Sequence, residues 1–433
     1  MYPSRLFAVL ICVGQVCCSG LATLHAPLGG KAVNELAVIR DDTGTCPLPH
    51  GHLKLYLLSS QHNASSDHQS TCIWSDSRQQ QYCVIADPHF NHEKGISVIT
   101  TPERAQYIFK TMAAVSTHTN FPPESLFKTR PSGTKGRGIF ATKYIPAGSL
   151  ITQEPPIIFL DRNYIEAVSS EQDRIAIQTL AVEKLPRTTR QIFHELYAGP
   201  CGQNLTQRMW TNGYGVSGGP VPQWPGLDNE SDLGMIAVHA NISTLLQKIN
   251  HSCRPNAATQ WDWDILAHRL YAARDIAANE EITISYLNPI QTLQDRQEYS
   301  KDNLGFECAC SQCKASSKFT DLSDDRINEI LLLESYLESR QIAPAEPTAM
   351  AELLVSLYKQ EGLHTFIGKA YAIAAREWNG AGYEYQARQW AYESVKAGLV
   401  AGSESGMEEY VNDMEALLDG SRKHWSWRYR VHI

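Results

Sequence analysis

The chain has 433 residues, of which 43% are apolar and 19% charged, and this composition excludes a largely disordered protein. At roughly 100 to 200 residues per domain, its length predicts two or three domains. The 38 Lys and Arg residues against 46 Asp and Glu give a formal charge of −8, which argues against a protein that coats nucleic acid. We therefore expect no direct nucleic-acid partner.

The N-terminus has the pattern of a secretory signal peptide over residues 1–20. Arg5 precedes the apolar run "LFAVLICVGQV", and Cys18-Ser19-Gly20 offers small residues for cleavage. That run is too short to span a bilayer, and no other stretch is long and apolar enough, so we expect no transmembrane segment. A secretory route would permit disulfides. The sequence does not fix how four of the cysteines pair: Cys46, Cys72, Cys83 and Cys201. N-glycosylation sequons fit the secretory route without proving it, and they occur at Asn63, Asn204, Asn229 and Asn241.

Residues 21–120 are predicted to be a small appended region that contains cysteines. The segment "YCVIADP" indicates one short strand there, and the scattered histidines do not have the spacing of metal ligands. We find no catalytic pattern in this region.

From Leu126 the pattern changes to short strands. The segment "GRGIFATKYIPAGSLITQEPPIIFL" alternates apolar and polar residues around a Pro-Ala-Gly turn, which predicts a hairpin, and "AATQWDWD", "RLYAARDI" and "EEITISY" predict further strands. Between them, "SEQDRIAIQTLAVEKL" and "TTRQIFHELYA" predict helices. The Gly- and Pro-rich "GYGVSGGPVPQWPGLDNES" predicts a loop.

Beyond Asp321 the apolar residues recur at helical spacing, and Gly362, Gly380 and Gly398 stand where helices would end. Paired helices of this length resemble a tetratricopeptide-like (TPR-like) array over residues 321–420. A helical bundle packed onto the β region is the alternative. For the tail, residues 421–433, the alternation in "HWSWRYRVHI" predicts a terminal strand packed on the domain.

The segment "FECACSQC" supplies three closely spaced thiols, Cys308, Cys310 and Cys313. Three thiolates can meet one zinc ion, which takes a fourth ligand, and the nearest further cysteine is Cys253. Disulfides are the alternative, but the sulfurs of a C-x-C pair rarely bridge each other. A closed four-thiolate site is structural. With Cys253 used as a ligand, the neighbouring His251 and Cys253 do not form a nucleophilic pair.

Three segments then occur in order: "KGRGIFA" from Lys135, "NHSCRPN" from Asn250 and "EEITISYL" from Glu280, followed by "NLGFECACSQC". This order resembles the SET domain of protein-lysine methyltransferases with its cysteine-rich post-SET segment. The layout is similar to SMYD-type proteins and their fungal relatives, in which an insert splits the SET core and helices follow. Those proteins usually carry a MYND zinc finger in the split. Here that insert holds only Cys201, so we expect no MYND finger.

The resemblance implies an α+β protein with a β-rich SET domain that contains a pseudoknot and is followed by an all-α, TPR-like helical-repeat domain. The implied boundaries are 126–290 for the SET domain, about 161–235 for its helical insert, 300–316 for the post-SET zinc segment and 321–420 for the helical domain.

The resemblance also implies that S-adenosyl-L-methionine is the cofactor. Gly136 and Gly138 would let the backbone approach it closely, because glycine has no Cβ. Lys135 and Arg137 would hold its methionine carboxylate.

Further cofactor contacts are implied at four positions. Asn250 and His251 would bind the adenosine and methionine parts, largely through backbone groups, so the Asn250 sequon would be unused. Asn212, in "WTNGYGV", matches a cofactor-contacting asparagine of the insert, and Phe306 would stack on the adenine.

Tyr286 is the implied catalytic residue and also contacts the cofactor. The enzyme must align a neutral lysine amine with the methyl group, and a tyrosine hydroxyl at the channel mouth can hydrogen-bond that amine. The expected partner is a protein that presents a lysine, such as a histone tail, and the helical domain would bind a protein partner.

Two other functions compete with this interpretation. One is a catalytically silent SET relative that acts as an interaction module, and the other is a secreted scaffold whose downstream cysteines form disulfides. The signal peptide favours an extracellular location, whereas the resemblance favours nucleus or cytoplasm.

Overall fold

A computed structural model describes residues 71–115, 126–198, 205–216, 234–239, 246–339, 344–401 and 407–431. The predicted signal peptide, Cys46, Cys201 and the sequons at Asn63, Asn204, Asn229 and Asn241 lie outside these ranges.

In the described residues the strands are β1 (Thr71–Ser75), β2 (Gln80–Asp87), β3 (Ile96–Thr100), β4 (Phe127–Pro131), β5 (Arg137–Ala141), β6 (Leu150–Glu154), β7 (Ile158–Asp161), β8 (Gly213–Val216), β9 (Met235–Val238), β10 (Asn250–His251), β11 (Ala257–Asp262), β12 (Ala267–Ala272) and β13 (Glu281–Ile284). The helices are α1 (Phe90–Glu93), α2 (Pro102–Val115), α3 (Asn163–Ala167), α4 (Glu171–Glu183), α5 (Arg187–Glu195), α6 (Leu205–Thr211), α7 (Leu293–Leu304), α8 (Ser317–Glu338), α9 (Pro347–Gln360), α10 (Ile367–Gly380), α11 (Glu384–Ala401) and α12 (Met407–Gly420).

The N-terminal described segment is part of the β core rather than an appendage. The strand order β1-β2-β3-β7-β9-β8 forms one six-stranded sheet, in which β3 pairs in parallel with β7. All five residues of β3 are buried, as expected for a strand covered on both faces. The predicted strand in "YCVIADP" is present as β2, and a disulfide joins its Cys83 to the directly opposite Cys72 on β1.

A buried ion pair fastens α2 to this sheet. Arg104 Nη1 lies 3.1 Å from Asp161 Oδ2, with 3% and 0% of the two side chains exposed. The same carboxylate oxygen accepts a hydrogen bond from Thr100 Oγ1 at the end of β3. Asp161, the last residue of β7, therefore holds both Thr100 at the end of β3 and Arg104 on α2.

Two smaller sheets hold the sequence motifs: β10-β13-β5-β4 and β11-β12-β6. The predicted hairpin of β5 and β6 is wrong, because β5 lies between β13 and β4 whereas β6 pairs with β12. An isolated bridge between Ile145 and Ile276 occupies the connection. The strands separate because both sheets bury their apolar faces in one shared core, which includes Ile139, Ile151 and Leu270.

The predicted loop that begins "GYGV" starts instead with a strand, β8. Gly213 permits close packing there, since an added Cβ would lie 2.5 Å from Ile236 Cγ2 on the neighbouring β9. Tyr214 is buried, and its hydroxyl donates a hydrogen bond to the carbonyl of Leu246. Glycine thus marks a tight strand contact at this position, not a turn.

The C-terminal region is all-helical, with α8 to α12 each packed against the next helix in sequence. This arrangement fits the predicted helical array. In the described residues no helix is both long enough and apolar enough to cross a bilayer.

The predicted terminal strand is wrong: residues 421–431 form successive turns. Their side chains are held by helices instead of a neighbouring strand. The Tyr429 hydroxyl and Arg430 Nε both donate to Glu377 on α10, and Trp425 Nε1 donates to Asp413 on α12 at 2.8 Å. The segment is packed on the domain, as expected, but without strand pairing.

We predict that Asp161→Ala lowers the free energy of unfolding by about 3–5 kcal/mol, because it leaves Arg104 buried without its counter-charge. Denaturant unfolding followed by circular dichroism measures this change. The matched control is Glu166→Ala, which removes an exposed carboxylate 3.3 Å from Arg78 and should change stability by about 0–1 kcal/mol. Equal effects of the two variants would show that α2 is not anchored through Asp161.

Candidate functional site

The three sequence motifs meet in the sheet β10-β13-β5-β4. Asn250 and His251 pair in parallel with Thr283 and Ile284, and the amide of Ser252 donates to the carbonyl of Ile284 at 2.9 Å. On the other side of β13, Glu281 pairs with Phe140 of β5. The three motifs therefore converge in one sheet of the fold.

Glu281 contacts three other side chains of this site through hydrogen bonds and an ion pair. Its Oε1 accepts from Ser132 Oγ at 2.6 Å and from Asn250 Nδ2 at 2.7 Å, and its Oε2 lies 3.3 Å from Lys135 Nζ. The sequence analysis missed Glu281, because an acidic residue at the start of a strand is unremarkable until the pairing with β5 is known. Arg137, by contrast, is exposed, and its carbonyl accepts from Asn250 Nδ2 at 3.4 Å.

The two glycines of "KGRG" differ in their surroundings. Gly136 has a φ of +77°, which favours glycine, and an added Cβ would meet nothing within 4 Å. At Gly138 an added Cβ would lie 2.3 Å from Glu281 Oε1 and 2.8 Å from Asn250 Nδ2. Gly138 thus makes room for the Glu281–Asn250 hydrogen bond, while Gly136 leaves open space beside the backbone.

His251 connects the cysteine cluster to Tyr286. Its Nδ1 accepts a hydrogen bond from the backbone amide of Tyr286 at 3.0 Å, so a neutral ring carries its proton on Nε2. That nitrogen lies 3.3 Å from Cys253 Sγ and is oriented to donate to the sulfur. The imidazole is buried and its tautomer is set by these two partners.

Three rings gather at this point. The ring centroids of His251 and Tyr286 are 5.4 Å apart, those of His251 and Phe306 6.1 Å, and those of Tyr286 and Phe306 6.4 Å. The Tyr286 hydroxyl donates to the carbonyl of Ile249. Burial, with a contribution from Glu281, raises the pKa of Tyr286, so the phenol stays protonated at neutral pH.

Asn212 directly follows α6 and is buried. Its Nδ2 donates to the carbonyls of Tyr197 and Arg208, both at 2.8 Å. Within the described part of the chain it makes no hydrogen bond to Asn250, His251 or Tyr286. Its cofactor role stays a prediction.

Asn256 is a second residue that the sequence analysis missed. It is 1% exposed, its Oδ1 accepts from the amide of Thr283 at 2.9 Å, and its Nδ2 donates to the carbonyl of Glu281 at 2.9 Å. These bonds fasten the turn after "NHSC" to β13. Its place in "RPN" suggests only a turn, so its contact with a strand 27 residues later was not predictable.

The four cysteines predicted to bind metal come together. The sulfurs of Cys253, Cys308, Cys310 and Cys313 all lie within 4.8 Å of one another, at distances such as 3.9 Å for Cys253 to Cys308. All four thiols are free. Contacts with the other sulfurs, Cys308 first, raise the pKa of Cys253, and the contact with Cys253 lowers that of Cys310. A dication would allow all four to ionise, so the donor set fits zinc.

A fully buried cation lies beside this cluster. Arg296 on α7 has none of its surface exposed, and its Nη1 donates to the carbonyl of Gln291. Burial lowers its pKa, but the sulfurs of Cys253 and Cys313 more than offset this, and the net pKa is raised. Four thiolates around a dication would leave two negative charges, and Arg296 would partly balance them.

Comparison with known proteins identifies the class of this fold. Residues 136–287 match the family model of the SET domain. The chain is 27% identical over 206 residues to histone-lysine N-methyltransferase set5 of Schizosaccharomyces pombe, covering 47% of this chain and 56% of that protein. It is 31% identical over 155 residues to protein-lysine N-trimethyltransferase SMYD5 of Gallus gallus, covering 29% and 37%. For histone-lysine N-methyltransferase SMYD3 of Homo sapiens the identity is 36% over 87 residues, covering 20% and 19%.

The chain therefore carries a SET domain, the class to which the motif geometry pointed. Within that class its sequence is similar to SET5 and SMYD proteins that are named lysine methyltransferases. The matched segments span 19% to 56% of these relatives' own lengths.

We predict that Gly138→Ala lowers the free energy of unfolding by about 1–3 kcal/mol, because the new methyl group forces Glu281 and Asn250 apart. Gly420→Ala is the control, since its Cβ would meet Lys423 only at ordinary contact distances of 3.7 Å and more. Thermal unfolding of both variants checks the difference. An unchanged melting temperature for Gly138→Ala would contradict the close packing.

Proposed function

We propose that this protein is an S-adenosyl-L-methionine-dependent methyltransferase that acts on lysine side chains of a protein. The strongest support is that Asn250, His251 and Tyr286 are held together. Asn250 and His251 form β10, which pairs with β13, and the Tyr286 amide donates a hydrogen bond to His251 Nδ1. The matches to named lysine methyltransferases support the same reaction.

The reaction is an in-line displacement, in which the bound sulfonium supplies an activated methyl group. The lysine nitrogen would form a bond to the methyl carbon as the carbon–sulfur bond breaks, and the electron pair of that bond would stay on sulfur. The protein must hold a neutral amine in line with that bond, and burial favours the neutral amine by lowering its pKa.

Tyr286 has the geometry for aligning the amine. Its hydroxyl proton is already donated to the carbonyl of Ile249, so the phenolic oxygen has lone pairs left to accept an N–H of the substrate amine. Accepting that N–H turns the nitrogen lone pair toward the methyl group.

The cofactor would lie against the ring cluster and the "KGRG" turn. Phe306, which is only partly buried, offers a ring face for the adenine, and the open backbone at Gly136 permits close approach. Lys135, although paired with Glu281, is half-exposed and can also reach a carboxylate. Zinc would be bound by Cys253, Cys308, Cys310 and Cys313 and would be structural, because four thiolates leave no open position.

An interaction module without catalysis is the second candidate. It is favoured by large apolar side chains exposed on α8, such as Phe319 at 67% and Leu332 at 56%. A protein partner for the helical domain is part of that proposal. The compartment also stays a prediction, although the Cys72–Cys83 disulfide is of the kind that oxidising compartments preserve.

We predict that Tyr286→Phe lowers kcat about 100-fold or more while the Kd for S-adenosyl-L-methionine changes little, because the lost group contacts the amine. Calorimetric titration measures cofactor binding, and transfer of labelled methyl groups to lysine-containing peptides measures turnover. Tyr392→Phe is the control, since this tyrosine is 61% exposed on α11. Absence of any binding heat for the unmodified chain would exclude the methyltransferase proposal, whereas an unchanged kcat would exclude only the role of Tyr286.

We also predict about one zinc ion per chain and its loss in Cys313→Ser, because a tetrahedral site needs all four thiolates. Metal analysis by mass spectrometry tests this prediction. Cys72→Ser removes a cysteine of the disulfide and should leave the zinc content unchanged. A metal-free protein with disulfides among the four downstream cysteines would favour the secreted scaffold.

A further inference from the structure

Glu361 occupies an unusual position for a carboxylate. It directly follows the last residue of α9 and precedes Gly362, whose φ of +65° ends the helix. Carbonyl groups at a helix C-terminus disfavour negative charge. The residue is nonetheless only 4% exposed, so it must be stabilised by strong partners.

Those partners are two guanidinium groups and a hydroxyl. Arg254 Nη2 donates to Glu361 Oε2 at 2.5 Å, Arg326 Nε donates to Oε1 at 2.6 Å, and Ser323 Oγ donates to Oε2 at 2.7 Å. Burial raises the pKa of Glu361, but the Arg254 and Ser323 hydrogen bonds outweigh it, and the net pKa is lowered. Glu361 is therefore ionised at neutral pH.

Arg254 belongs to the "NHSCRPN" motif and reaches both segments that flank the site. Its Nη1 donates to the carbonyl of Cys253 at 2.8 Å and to the carbonyl of Pro289 at 3.3 Å. Cys253 is a member of the cysteine cluster, and Pro289 lies three residues after Tyr286. The planar guanidinium of Arg254 thus hydrogen-bonds to both segments, and Glu361 holds that guanidinium in place.

A second connection runs through Ser323 on α8. Gln312, next to Cys313, donates from Nε2 to Ser323 Oγ at 2.7 Å, and Ser323 Oγ in turn donates a hydrogen bond to Glu361 Oε2. The carboxylate is therefore linked to both parts of the cysteine cluster, one through Arg254 and the other through Gln312.

We infer that Glu361 is a positioning residue through which the helical domain aligns the active site. Its charge fixes Arg254, and Arg254 fixes the backbone that follows His251 and the backbone that follows Tyr286. This inference rests on the proposed methyltransferase function. A neutral amide at position 361 leaves two guanidinium groups without their shared counter-ion and turns an N–H donor toward one of them.

The test compares Glu361→Gln with Glu334→Gln in the full chain. Glu334 is a buried carboxylate on α8 that accepts from Lys369 Nζ at 2.9 Å and from the Tyr358 hydroxyl, all within the helical domain. Both variants are assayed below their melting temperatures for kcat, the KM for a lysine peptide, the Kd for S-adenosyl-L-methionine and zinc content.

We expect Glu361→Gln to lower kcat about 10- to 100-fold, because small misplacements of reacting groups have effects of this size. The kcat of Glu334→Gln should stay within about twofold of that of the unmodified chain, even if its melting temperature falls by as much as that of Glu361→Gln. Equal kcat values for the two variants would overturn the inference.

Two further results separate the possible failures. If Glu361→Gln does not fold, Arg254→Lys decides, since it keeps the charge but loses the fork that reaches two carbonyls. A lowered kcat in that variant supports the inference, and an unchanged kcat overturns it. If the unmodified chain neither binds S-adenosyl-L-methionine nor transfers methyl groups, the proposed function itself is wrong.

Discussion

Two residues of backbone pairing, Asn250 and His251 against Thr283 and Ile284, bring the candidate site together. This short parallel ladder is too small to be stable alone, so it depends on side chains on either side. Asn256 fastens the following turn to β13, and Glu281 holds the Asn250 amide from the other edge. If this pairing were lost, the ring of His251 could no longer reach the Tyr286 amide.

Charge is balanced locally around this ladder. Glu281 is balanced by Lys135, Glu361 by two arginines, and the sulfur cluster by Arg296 and the proposed metal ion. Because each of these groups is partly or wholly buried, a missing partner would leave an uncompensated charge at low dielectric. The site is therefore sensitive to substitutions of residues that would not touch a substrate.

Features carried by local spacing were predictable from the sequence. The C-x-C-x2-C array indicated the cysteine cluster, and the order of three short motifs indicated the SET domain, because each depends on residues close together in the chain. Glu281, Asn256 and Glu361 were not predictable, because their partners are set by strand register and by helix packing 24 or more residues away. The role of β3 was missed for a similar reason, since its partner β7 begins about sixty residues later.

The turns of residues 421–431 have a consequence for assembly. A Cβ added to Gly380 would lie 2.4 Å from the aromatic ring of Tyr429. The amide of Arg430 donates to the Gly380 carbonyl at 3.1 Å. These turns cover parts of α8, α10 and α12, so a partner that binds those parts of the helices must displace them.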